Sequence, residues 1–263
     1  MTFVRTWLQA LKTSIRPIYN FRYDRLWEVD AMRGFAIAIM VVYHLVWDLY
    51  GMAGKKIDVY NGFWHYWQLV TATSFISVMG LAMSLRAGRL RARGTLTFQP
   101  YLWRGLTIFT WGLIVGLVTW VYNPNEFIRF GILHFIGVAT VLAYPFLRFR
   151  WMNLVLGSGL ILLPHLLPWR HQFSGLEWLG LVKDVRPTFD YFPLIPWLGV
   201  VLLGIFVGNM LYPAGKRAFA LPDGSRFAPV RWMALAGQNS LLIYLVHQPL
   251  IILVLILLGI VKI

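Results

Sequence analysis

Four ionisable residues, Asp30, Arg33, His44 and Asp48, stand within a single stretch of otherwise mostly apolar sequence. On a helix advancing about 100° per residue, His44 falls about 20° round from Arg33, and Asp30 and Asp48 each fall about 60° from it. One helical face therefore carries all four, with Arg33 and His44 about 16 Å apart along the axis. Residues at positions 44 and 48 are close enough to touch. A carboxylate beside an imidazole fixes its tautomer and raises its basicity, as a general base requires. Arg33 offers a planar fork that suits an anionic group at the opposite end of the face. The chemistry that fits is proton abstraction by His44, oriented by Asp48. The competing reading is that these polar groups only tie the helix to a neighbour.

The element that carries them is a membrane span. The chain has 263 residues, of which 59% are hydrophobic and 13% charged, with a mean hydropathy of +0.64. A soluble domain of this length is closer to half apolar and a quarter charged. The excess lies in long uncharged runs at 34–47, 59–85, 105–125, 130–147, 151–169, 191–215 and 232–261. A span needs ~20 mostly apolar residues. The expected fold is all-α, a polytopic transmembrane helix bundle of about seven spans with a cytoplasmic N-terminus. The first run reaches span length only with Asp48 near the outer interface. The fifth carries Pro164, His165 and Pro168, so its end is expected to break. Residues 1–25 read as a basic cytoplasmic tail ahead of a membrane domain over 26–263. Within the tail, Trp7–Ile18 is either a surface amphipathic helix or partly ordered chain. With no cysteine, disulfides and thiolate chemistry are excluded.

Lys and Arg set the orientation. With the N-terminus inside, sixteen fall on the inner side and seven on the outer, Arg33 within the first span being the remaining one. The net charge of +14 is spread between the apolar runs, which argues for orienting the spans and against binding nucleic acid.

Ionisable groups in spans are functional candidates by default. This topology places His65, His134 and Asp190 in the same outer half as His44 and Asp48. His65, among Phe63, Trp64, Tyr66 and Trp67, reads equally as an interfacial residue. His134 and His247 read as packing histidines or as supporting groups of a site, and Asn239 as a helix-starting or supporting residue. Arg86, Arg89, Arg91, Arg93 and Arg104 form a loop that orients the protein or meets phosphates at the cytoplasmic face. No metal site is expected.

Several ordered blocks resemble a known family. Arg25-Leu-Trp-Glu-Val-Asp-Ala-Met-Arg-Gly-Phe-Ala, with Met40-Val-Val-Tyr-His-Leu-Val-Trp-Asp-Leu, resembles the opening of bacterial proteins related to heparan-alpha-glucosaminide N-acetyltransferase. Phe130-Gly-Ile-Leu-His-Phe-Ile-Gly, Asp190-Tyr-Phe-Pro-Leu-Ile-Pro-Trp and Gly237-Gln-Asn-Ser-Leu-Leu-Ile-Tyr-Leu-Val-His-Gln-Pro follow in order. The wider superfamily includes acyltransferase family 3, whose hallmark of an Arg, ten residues and a His is matched by Arg33 and His44. The resemblance implies acyl transfer from a cytoplasmic acyl-CoA, by analogy acetyl-CoA, to a glycan or lipid-linked sugar on the far side of a bacterial inner membrane. It implies His44 as base and Arg33, with Asp30 and Arg104, as donor-binding residues. The lysosomal enzyme has an Asn where His44 falls and carries its catalytic His further on, so His65 is the second candidate base. Relatives have ten or eleven spans against about seven here.

Two rival functions remain at this point: a transporter or flippase without chemistry, and a haem-binding membrane protein. A homo-oligomer is compatible with each. The charge bias makes its own prediction. Reporter fusions in loops 86–104 and 216–231 should report the inner side and fusions in 170–190 the outer. A fusion after Ile263 that reports the inner side would change the span count by one.

Overall fold

The computed structural model describes residues 2–22, 25–166, 175–182 and 185–261. Among the described residues the regular secondary structure is helical throughout, with no strand. Among the described residues there are nine α-helices: α1 Thr2–Ser14, α2 Trp27–Gly51, α3 Gly62–Ala92, α4 Gln99–Tyr122, α5 Ile132–Leu142, α6 Trp151–Leu166, α7 Leu194–Leu211, α8 Ala228–Gln238 and α9 Ser240–Leu257. Five of these (α2, α3, α4, α7 and α9) are long and apolar enough to cross a membrane. The protein is an integral membrane helix bundle.

The apolar runs appear in the expected order, but two of them differ in form. The fourth gives α5, only 11 residues, followed by a 3-10 turn over Tyr144–Arg148. Eleven helical residues rise about 16 Å, roughly half a hydrocarbon core. Pro145 has no amide hydrogen to continue the α-helical ladder. The turn is tied down by side-chain amides: the Phe146 carbonyl, which also accepts from the Phe149 amide, and the Phe149 carbonyl accept hydrogen bonds from Asn153 Nδ2 at 3.0 and 2.6 Å, and Asn209 Nδ2 also donates to Phe149 at 2.8 Å. The seventh run is broken at Asn239 into α8 and α9. Helix α1 starts five residues earlier than Trp7 and stops at Ser14, short of Ile18. Pro17 disfavours a helical residue before it. Val4 and Leu8 are exposed on α1. Arg170, His171, Lys183 and Lys262 lie outside the described residues.

The chain divides into two compact units, residues 1–11 with 79–220, and residues 12–78 with 221–263. In the first, α4 packs on α5 and α6 on α7. Two α7 glycines allow close approach: Gly199 faces the Gly157 carbonyl and Gly208 faces Ser84.

In the second unit, α2 packs chiefly on α8 and then on α9. Its backbone touches that of α8 directly. A methyl group at Gly34 would run into the Met233 carbonyl, and one at Gly237 into the Asp30 carbonyl. Trp67 of α3 donates its indole N–H to the Ile39 carbonyl at 3.0 Å. An apolar groove of about 710 Å³ opens in this unit, lined by Trp27, Met32, Phe35, Ser74, Val78 and Met233 among others.

Because the obstacle at Gly34 is backbone, it cannot move aside as a side chain would. Gly34→Val should destabilise the protein by ~3 kcal/mol, the upper end for overpacking. A melting curve in detergent would read this as a lowered midpoint. Gly159, with open space where a Cβ would sit, is the control, and Gly159→Ala should be neutral or slightly stabilising.

Candidate functional site

Helix α2 begins with Glu28 and Asp30 in its first turn, where carboxylates complement the helix dipole. The Asp30 side chain is 2% exposed. Its Oδ1 accepts hydrogen bonds from Arg25 at 2.6 Å and Arg33 at 3.2 Å, and its Oδ2 accepts one from Gln238 Nε2 at 3.1 Å. One buried carboxylate thus faces two guanidinium groups and one amide, leaving a net positive charge. Arg33 is 17% exposed and commits one nitrogen to Asp30, so the group retains donors for an anionic ligand.

The break between α8 and α9 supplies the other half of this end. Asn239 accepts from the Ile18 amide at 2.7 Å and donates to the Ile18 carbonyl at 3.0 Å. Gln238 Oε1 accepts from the Arg22 amide at 3.4 Å while its Nε2 holds Asp30. Asn239 therefore latches the tail to the helix break, a more specific task than starting α9. Sequence reasoning misses Gln238 and Arg25 as members of the cluster. Gln238 is legible only as the neighbour of Asn239 in a polar break, and Arg25 reads as one more cation of the basic tail.

At the other end of α2 the expected pair separates. Asp48 is fully buried and both its oxygens accept from Gln248 Nε2, at 2.7 and 2.9 Å. Among the described residues it makes no hydrogen bond with His44. The His44 ring instead meets the ring of His247 on α9, with centroids 4.8 Å apart and planes at 61°. His247 Nδ1 lies 2.6 Å from the Tyr244 carbonyl oxygen. A carbonyl only accepts, so Nδ1 carries the proton, and in the neutral ring Nε2 is then a bare lone pair. His247 Nε2 and Gln248 Oε1 are both buried without a hydrogen-bond partner. The polar face of α2 and two successive residues of α9 thus form paired rungs, His44 with His247 and Asp48 with Gln248.

His65 lies in the first turn of α3, exposed, with its ring edge-on to Tyr66 at 5.7 Å. It makes no hydrogen bond among the described residues. Arg104 is exposed on α4, in the other unit, where Arg86 lies over the Tyr101 ring at 5.4 Å and Arg89 donates to the Gly215 carbonyl at 3.2 Å. Among the described residues no group of three His, Asp or Glu side chains is arranged to hold a metal ion.

His134 and Asp190 also belong to the first unit, where both bind the start of α5. The Gly131 amide donates to His134 Nδ1 at 3.3 Å and the Ile132 amide to Asp190 Oδ2 at 2.8 Å. These bonds satisfy amides that a helix start leaves without partners. His134 is packed between Phe109 and Phe130. Burial pushes Asp190 up to about 6, against the pull of its backbone hydrogen bonds.

Fold and site together define a polytopic membrane protein whose buried charged and imidazole groups are concentrated on one span and the helix pair that packs on it. Residues 25–249 match the family described as heparan-alpha-glucosaminide N-acetyltransferase, catalytic, and the chain belongs to this family of membrane acetyltransferases. No curated protein and no solved structure matches the chain.

Asp190 gives a pH-dependent prediction. Its carboxyl holds a proton more tightly when folded than its ordinary value of 3.8. Its contribution is therefore full below that value and is lost as pH rises through about 6. Asp190→Asn keeps an acceptor for Ile132 but cannot ionise. Its stability relative to wild type should rise across this window in thermal unfolding, and a flat difference would count against the raised value. Asp190→Ala removes the acceptor and should lower stability by ~1 kcal/mol.

Proposed function

We propose that the protein transfers an acyl group, acetyl in the first instance, from acyl-CoA to a hydroxyl or amine acceptor such as a glycan or lipid-linked sugar. The observation that carries this reading is the family match over residues 25–249, together with the placement of Arg33 and His44 on one face of α2. In this reading the donor arrives from the cytoplasm, the acceptor lies on the far side, and the membrane is the bacterial inner membrane. Arg33 binds the donor's anionic part, and Asp30 holds the Arg33 guanidinium in place.

The thioester is already activated, but a hydroxyl is a poor nucleophile at neutral pH and needs a base. His44 takes the acceptor proton as the acceptor oxygen or nitrogen bonds to the thioester carbonyl carbon. The carbon–sulfur bond then breaks, and the departing thiolate takes the proton back from His44. Asp48 acts at one remove, since its grip on Gln248 fixes α9 against α2 at the level of His44.

The test is transfer from labelled acetyl-CoA by the purified protein in proteoliposomes, offered a panel of glycans and lipid-linked sugars. His44→Ala should cut the rate by ~10²–10⁴-fold while acyl-CoA binding and protein level hold. More than about a tenth of wild-type rate would leave the proton to another group, with His65 next in line. Arg33→Ala should weaken acyl-CoA binding more than Arg33→Lys, which keeps charge but loses the planar fork. Equal affinity in wild type and both variants would remove Arg33 from the donor site.

A further inference from the structure

The proposed base lacks the partner that its sequence neighbourhood promised. Asp48 is one turn away but spends both oxygens on Gln248. A lone imidazole that takes up a proton inside a membrane protein leaves a cation with no compensating group. The group that faces His44 is His247, 4.8 Å away between ring centroids. Three features set His247 apart from a packing histidine. Its Nδ1 proton is fixed on the Tyr244 carbonyl at 2.6 Å. Its Nε2 is therefore an acceptor with one defined direction. That Nε2 is buried and has no hydrogen-bond partner, whereas buried polar atoms in native proteins are nearly always paired.

We propose that His247 is the positioning partner of His44, its Nε2 lone pair accepting a hydrogen bond from the N–H of the His44 imidazolium that forms when the acceptor gives up its proton. The proposal rests on the acyltransferase reading and adds a residue to it. In the resting state both rings are neutral. As the acceptor oxygen bonds to the thioester carbonyl carbon, its proton moves to one His44 nitrogen. The other nitrogen, now also N–H, donates to His247 Nε2. When the carbon–sulfur bond breaks, the thiolate takes the proton from the first nitrogen and both rings return to neutral. His247 neither gains nor loses a proton. A hydrogen bond to the charged form of a group stabilises that form, and one made only after proton transfer lowers the barrier without tightening substrate binding. The Tyr244 carbonyl, one turn before His247, plays the orienting part that a carboxylate plays beside other catalytic imidazoles.

Two variants separate this role from packing. His247→Gln places an amide oxygen near the Nε2 position and can still accept. His247→Leu fills similar space without an acceptor. In the proteoliposome assay, His247→Leu should lower kcat on the order of 10²-fold with KM for acyl-CoA and acceptor unchanged. His247→Gln should recover most of that loss. A packing role predicts the reverse order, with Leu tolerated better than Gln. If His247→Leu keeps kcat within about twofold of wild type, or if both variants lose it equally while remaining folded, His247 is not the partner. Wild-type protein in nanodiscs provides a test that needs no folded variant. With ¹⁵N-labelled histidine, His247 should show a protonated Nδ1 and a bare Nε2, and the opposite tautomer overturns the proposal. If wild type transfers no acyl group, the acyltransferase reading fails and this proposal with it. If wild type is active and His247→Leu is equally active, only the pairing fails.

Discussion

Charged and polar groups on a membrane span must find their partners inside the protein, because the hydrocarbon offers none. Helix α2 places a carboxylate and a guanidinium near one end and an imidazole and a carboxylate near the other, on one face. The helix pair α8–α9 is what makes that face tolerable. Gln238 contributes to the hub around Asp30, Gln248 satisfies Asp48, and His247 closes over His44. The side chains reach one another only because the α2 and α8 backbones touch at Gly34 and Gly237. Each glycine faces the main chain of the other helix, so the contact is reciprocal and sets the register of the whole face.

The break at Asn239 lets one stretch of chain serve both ends. Had α8 and α9 been a single straight helix, Gln238 and Gln248 would differ by about 1000° of rotation, or about 80° round the axis. The non-helical backbone at Asn239 frees its side chain to hold Ile18, and α9 sets off from there with His247 and Gln248 turned to α2. The two ends of the candidate site are thus connected through the ten-residue step from Gln238 to Gln248, across the α8–α9 break, and through α2 itself.

Much of the fold is readable from hydropathy alone, since a run of ~20 uncharged, mostly apolar residues is the length and composition that a bilayer core demands. The face shared by Asp30, Arg33, His44 and Asp48 is likewise readable, because helical spacing is a local property. What spacing does not give is which neighbour a side chain chooses. His44 and Asp48 are in reach of each other on α2, yet their partners stand 200 or so residues away in sequence, at His247 and Gln248. A tertiary partner wins because it approaches the face head-on, whereas side chains one turn apart on a helix run alongside each other. His134 and Asp190 illustrate the same limit. Their hydrogen bonds serve the first turn of α5, a helix whose start is hidden inside a continuous apolar run.

Helix α2 is made well before its partners. The hydrogen bonds from Gln238 to Asp30, from Gln248 to Asp48 and between Asn239 and Ile18 join residues 208, 200 and 221 positions apart. At translation rates of 5–20 residues per second, the wait between the two ends is ~10–40 s. Throughout that interval the nascent chain holds a span whose carboxylates and imidazole lack their eventual partners from α8 and α9. Such a span is poorly suited to release into lipid on its own. Its early residence is better provided by the insertion machinery or by water at the interface, with final burial coupled to arrival of the C-terminal helices. Ribosome stalling or premature termination before Gln238 would therefore leave a membrane protein with an exposed polar stripe, a natural mark for quality-control proteases.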